Sequence, residues 1–137
     1  MDKKDVLIAF LQAWKNQDYE QMYQFSQLTW KEGKTEENIE ALFSTAKVKD
    51  FNIFSSTYVS SAAQKYAVDL TLESGDRLMC GAVMVICEAA PNKTAAWGEW
   101  GVNPASVLNI SQKIPAKKPA TKKPAGVKKA KDNARKE

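Results

Sequence analysis

Histidine is absent from the 137 residues. Without it the chain has neither the usual neutral-pH acid–base group nor the commonest zinc ligand. A Ser-His-Asp triad, a Cys-His pair and a His-ligated metal are therefore excluded. Cysteine is scarce, with only Cys80 and Cys87, and both fall in one apolar run that reads as a strand. Seven residues of strand span roughly 23 Å, and the odd spacing predicts opposite faces. Because a disulfide needs Cα atoms within about 7 Å, the two are expected to be reduced core residues. Reduced cysteines fit a cytoplasmic protein. No apolar run approaches the ~18 residues of a membrane span. "VLIAFL" after Lys3 and Lys4 is short, and Trp14 and Lys15 follow it where a signal peptide would carry small residues. Phosphate-loop and dinucleotide motifs are missing too, so no cofactor or metal is expected.

Charge is present but unevenly placed. The net charge is +4, yet residues 1–110 hold ten Lys and Arg against fourteen Asp and Glu. Residues 111–137 hold ten against two. An acidic body thus carries a basic tail.

Within the body, Val6, Leu7, Phe10, Leu11 and Trp14 recur at helical spacing. Asp18, followed three residues later by Gln21, opens a second helix through Tyr19, Met22, Tyr23 and on toward Leu28. Gly33 breaks the pattern, and Thr35 caps a third helix, "TEENIEALFSTAK", with acids in its first turn. After Lys49 the period changes to two. "DFNIFSSTYVS" and "KYAVDLTLE" alternate, and the latter sets Tyr66, Val68, Leu70 and Leu72 against Ala67, Asp69, Thr71 and Glu73. Ser74-Gly75-Asp76 is a hairpin turn into "RLMCGAVMVICE", apolar on both sides and so central in a sheet. "AAWGEWGVN" is the last strand, with Trp97 and Glu99 on one face and Trp100 and Val102 on the other. Three helices before four antiparallel strands predict an α+β fold.

"FLQAWKNQDYEQMYQF", with Trp14, Asp18 and Tyr19, resembles the opening of the nuclear transport factor 2-like superfamily. "WGEWGVNPASV" resembles the close of many members, where the last strand carries a Trp and runs into a proline. The resemblance covers roughly residues 3–110. It implies a cone-shaped α+β roll, about three N-terminal helices on a curved four-stranded antiparallel sheet. It also implies a pocket between helices and sheet, and dimerisation through the outer sheet face. Enzymatic members use a His–Asp pair, impossible here, or a tyrosine with two acids in an apolar pocket.

The parts of that second arrangement exist. Glu99 beside Trp97 is a candidate base, and Tyr19 and Tyr23 are candidate oxyanion donors. The plainer readings are an exposed strand acid and two core or wall tyrosines. Asp69 reads as part of a solvated sheet face. Trp14, Tyr19, Tyr23, Trp97 and Trp100 are the candidate pocket walls; alternatively the tryptophans fill the core. Whichever of Trp97 and Trp100 faces outward calls for a cover, for which a second copy is the natural candidate.

In the tail, "AKKPA", "TKKPA" and "GVKKA" form a loose repeat. Prolines and lysine repulsion predict disorder over 111–137. The segment resembles the Lys-, Ala- and Pro-rich tails of linker histones. Lys117, Lys118, Lys122, Lys123, Lys128, Lys129, Lys131, Arg135 and Lys136 are the candidate polyanion contacts. DNA, RNA or an acidic protein would satisfy them; membrane insertion is not expected. The sequence thus favours a non-enzymatic, dimeric binding module with a basic tether. The rivals are a small-molecule binder or isomerase-like enzyme using the cone, and an interaction module for an acidic partner.

Overall fold

A computed structural model describes residues 1–115. All nine candidate polyanion contacts, from Lys117 to Lys136, lie outside these residues.

Helix α1 (Lys3–Lys15) starts at Asp2, whose Oδ1 accepts from the N–H of Lys4 at 2.8 Å and of Asp5 at 3.2 Å. This capping satisfies donors that the helix leaves unpaired. The apolar stripe is buried as its spacing predicts, from Val6 to Trp14. A turn through Gln17 (φ 58°) leads to α2 (Tyr19–Gln24), capped by Asp18 on the Gln21 N–H. The second helix does not continue to Leu28. The chain at Ser26 lies beside Val102: the Gln27 N–H donates to the Val102 carbonyl, and the Val102 N–H to that of Phe25, both at 2.8 Å. Only then does a short helix, α3 (Leu28–Lys31), form. Tertiary hydrogen bonding to a strand edge overrides the local helical pattern there. Helix α4 (Glu36–Phe43) has Thr35 and Asn38 in a reciprocal capping arrangement, the Thr35 N–H donating to Asn38 Oδ1 at 2.8 Å.

The sheet is antiparallel. Strands β1 (Val48–Ser60), β2 (Ala63–Leu72) and β3 (Arg77–Ala90) form a meander. Gly75, at φ 94°, makes the turn between β2 and β3. Strand β3 also pairs with β4 (Lys93–Thr94), β5 (Glu99–Val102) and β6 (Gln112–Ile114). A short α5 (Pro104–Leu108), capped by Asn103, joins β5 to β6. The expected four strands correspond to β1, β2, β3 and β5. The two others are too short to show periodicity, and β6 carries sheet pairing past residue 110.

Two bulges correct the alternation read from the sequence. Val68 pairs with Cys80 but Tyr66 with Val83, so β3 carries an extra residue near Gly81. Leu78 and Cys80 therefore share the interior face with Val83, Val85 and Cys87, and the two cysteines do not face opposite ways. They are buried and free. Burial pushes the Cys80 thiol up to about 11, with the nearby Asp69 carboxylate adding to it. A second bulge lies between Ile53 and Ser55. Phe51 and Ile53 face inward before it; beyond it Ser56 and Tyr58, paired with Tyr66 and Gln64, take that side.

The interior is filled by helix side chains lying on the sheet. Leu7, Phe10, Met22 and Phe43 are fully buried against Val68, Leu70, Val83 and Val85. The Phe43 ring meets Phe10 and Trp14 edge-to-face, at centroid distances of 5.7 Å and 4.8 Å. Among the described residues no helix is long and apolar enough to cross a membrane.

Candidate functional site

The structure does not gather the residues that sequence reasoning put forward. Trp14 is buried, and its indole N–H donates to the carbonyls of Phe43 and Ala46, each at 3.1 Å. It packs as core. Tyr23 is half-buried on α2, and its hydroxyl donates to the Lys34 carbonyl at 3.0 Å, tying the helix to the loop after α3. The Lys31 ammonium stands 5.7 Å from its ring centre. That phenol is already engaged, away from any carboxylate partner. Tyr19 is half-buried, and its phenol is held above the usual range by burial and then by Glu40. Asp69 pairs with Arg77 across the β2–β3 hairpin instead of standing free in solvent.

Trp97 and Glu99 do not share a strand face. Trp97 lies in the turn before β5 and is 81% exposed. Glu99 and Trp100 do meet at an open cleft of about 530 Å³, with Met1, Val6, Phe25 and Lys31 also lining it. The Lys3 ammonium sits 5.4 Å over the Trp100 ring. Glu99 is exposed there, and neither tyrosine lines that cleft.

A polar cluster that the sequence reading passed over lies where β3 meets β4 and β5. Glu88 is 2% exposed. Its carboxylate accepts from Gln27 Nε2 at 3.1 Å, from the Thr29 N–H at 3.0 Å and from the Thr29 hydroxyl. The Thr29 oxygen in turn accepts from the Asn92 N–H at 2.7 Å, and Gln27 Oε1 accepts from Asn103 Nδ2 at 2.8 Å. A charged group so buried is tolerable only when this fully bonded. The cluster clamps α3 and α5 onto β3, and with its groups consumed by one another it is architectural. A lone acid at the end of the apolar run "VMVICEAA" was the signal that would have found it.

The second cleft is formed by the β1–β2 hairpin and the start of α1. It encloses about 410 Å³ and is lined by Asp2, Lys4, Phe54, Ser56, Gln64 and Tyr66, among others. Neither cleft is lined by Phe10, Trp14 or Phe43. Among the described residues, no group of three or more Cys, Asp or Glu is placed to hold a metal ion.

The family model for the NTF2-like N-terminal transpeptidase domain matches residues 3–77, from α1 to the first residue of β3. This chain belongs to that family. Membership in the NTF2-like family accounts for the order of helices and first strands; β4, β5, α5 and β6 lie beyond the matched segment. No curated protein matches the chain. Among solved structures, a DUF4783 family protein from Bacteroides ovatus is similar, with 10% identity and a TM-score of 0.47 over 69% of this chain and 86% of that one.

Replacing Glu88 by alanine strands the Thr29 N–H, the Thr29 hydroxyl and the Gln27 amide. A loss of about 3 kcal/mol in urea unfolding is expected. Glu99→Ala, at an exposed site, is expected to change stability by less than about 0.5 kcal/mol. Equal effects would show that the Glu88 cluster does not hold the fold together.

Proposed function

We propose that this NTF2-like domain is a non-enzymatic binding module that pairs with a second copy of itself and uses its Lys-rich C-terminal segment to contact nucleic acid. The observation that carries this reading is the segregation of charge. Fourteen acids against ten bases occupy residues 1–110, and ten bases against two acids occupy 111–137. A uniformly basic protein would spread its cations; here the body is net negative and all the excess positive charge lies in one Lys-rich stretch. Phosphates condense counterions, and a lysine segment that displaces them gains affinity without reading sequence. The segment has no aromatic residue, so stacking on unpaired bases is not its mode. Free buried cysteines suit a reducing compartment such as the cytoplasm.

A noncatalytic role accords with the placement of Tyr19, Tyr23 and Glu99, which converge on no common point. Self-association is supported by the outer face of the sheet. Met79, Met84 and Ile86 on β3 are only half-covered, with Asp69, Lys65 and Ala63 opposite them on β2. Val59 at the end of β1 is 49% exposed. Pairing two bodies through this face would double the number of tails and raise avidity without new contacts.

The test for the tail compares the full chain with one ending at Pro115, which keeps β6, on duplex DNA and on RNA across a salt series. Engagement of about four phosphates predicts a log–log slope near −4 for the full chain and loss of binding on truncation. Equal binding by both would remove the tail from the account. For the body, sedimentation equilibrium of the chain ending at Pro115 is expected to show a dimer that Met84→Glu converts to monomer. A monomer at all concentrations before substitution would refute the pairing.

A further inference from the structure

Strand β1 lies at one end of the sheet and pairs only with β2, so its other edge presents backbone N–H and C=O groups that no described strand pairs. It runs 13 residues, where strands usually have about five or six. Proteins blunt such edges with charge, proline or a covering element. From Phe51 to Ser60 there is no charged residue, no proline and no glycine. Beyond the bulge between Ile53 and Ser55, every residue of the strand is exposed. Phe54 is 50% exposed and Tyr58 is 70% exposed. An edge so long, uncharged and apolar suits pairing with another extended chain.

A cleft of about 410 Å³ adjoins this edge. Ile53 to Ser56 of β1 form one wall, and Asp2, Lys3 and Lys4 at the start of α1 form another. An added strand turns every second side chain to the same face of the sheet, so alternate residues of it would meet this cleft. Charge beside the edge is positive, although residues 1–110 hold fourteen acids against ten bases. Lys3 and Lys4 outnumber Asp2, and Asp2 Oδ1 already accepts from two N–H groups of its own helix. Between Phe51 and Val68, across the hairpin turn, Lys65 is the sole charged residue, and it stands opposite Thr57.

We infer that the free edge of β1 takes up an extended acidic peptide as an added strand, its acidic side chains directed to the cleft beside Lys3 and Lys4. Main-chain hydrogen bonds along β1 supply affinity independent of side chains, and the lysines select the acidic ones. The Lys-rich segment of this chain is disfavoured there by like charge. A second copy paired antiparallel about Ser55 would set Lys3 and Lys4 of both copies near one another, so self-pairing along this edge is disfavoured as well. The site depends neither on the Lys-rich segment nor on pairing of bodies through the outer sheet face.

The test is NMR titration of the full chain with a capped eight-residue peptide that alternates glutamate and valine. Lysine–valine and glutamate–proline counterparts are the comparisons; the second keeps the charge but lacks every second N–H. Saturable shifts along residues 51–60 are expected with the glutamate–valine peptide alone, together with slowed amide exchange at alternate β1 residues. Lys3→Glu combined with Lys4→Glu, confirmed to unfold at the parent midpoint, is expected to weaken this binding at least tenfold. Lys93→Glu, on β4, should leave it unchanged. The proposal is overturned by the absence of saturable shifts in β1, by equal binding of the lysine–valine peptide, or by undiminished binding to the double variant. Shifts confined to residues 116–137 mean that the peptide has met the Lys-rich segment instead. Protection of the β1 edge in the free chain that is lost on dilution means that a second copy holds it. Either of these overturns the proposal too.

Discussion

The contact on which the rest of this fold depends is the meeting of Trp14, Phe10 and Phe43. The Trp14 indole N–H reaches the carbonyls of Phe43 and Ala46, closing the C-terminal end of α4 onto α1. The Phe43 ring stands edge-on to both other aromatic rings. Three large side chains thus occupy the volume between helices and sheet, and the aliphatic residues of β2 and β3 close around them. An α+β roll can leave that volume open for a ligand or fill it. Here it is filled, and whatever the domain binds must be met at its margins.

The margins are shaped by departures from regularity. A strand in strict alternation would keep Phe54 on one face and Ser55 on the other. The bulge there places both beside the cleft and turns the far half of β1 over, so that Tyr58 faces the side of Gln64. At the opposite end of the sheet, the chain after α2 lies along β5. A side chain at Gly101 would come within 2.6 Å of Gln27 Cα, so only glycine permits that approach. The close fit brings Gln27 and Thr29 to Glu88 and pins α3 where a longer α2 would have run. Two irregular places thus do different things: one buries a carboxylate and satisfies it completely, the other opens a cleft at the edge of the sheet.

Much of the architecture was legible because periodicity and capping are local. The stripe of α1, the caps at Asp18 and Thr35, the turn at Gly75 and the membership suggested by Trp14, Asp18 and Tyr19 all come from residues close in sequence. Tyr66 was correctly set with Val68 and Leu70 by alternation. What was not legible depends on pairing partners. No local signal marks the extra residue near Gly81, so Cys80 was expected on the face opposite Cys87, whereas the two share one. Trp97 and Glu99 look like strand neighbours until the turn before β5 separates them. The Gln27–Thr29–Glu88 cluster joins residues about sixty positions apart, and its one sequence trace is an acid in an apolar run.

The central claim is that the interior is packed core and that binding groups lie at the edge. Crystals of the protein pressurised with xenon test it most directly, since xenon occupies dry apolar voids. The account predicts no xenon among Phe10, Trp14, Phe43 and Met22. An ordered xenon atom between those side chains would contradict it and return the search for a ligand to the inside of the cone.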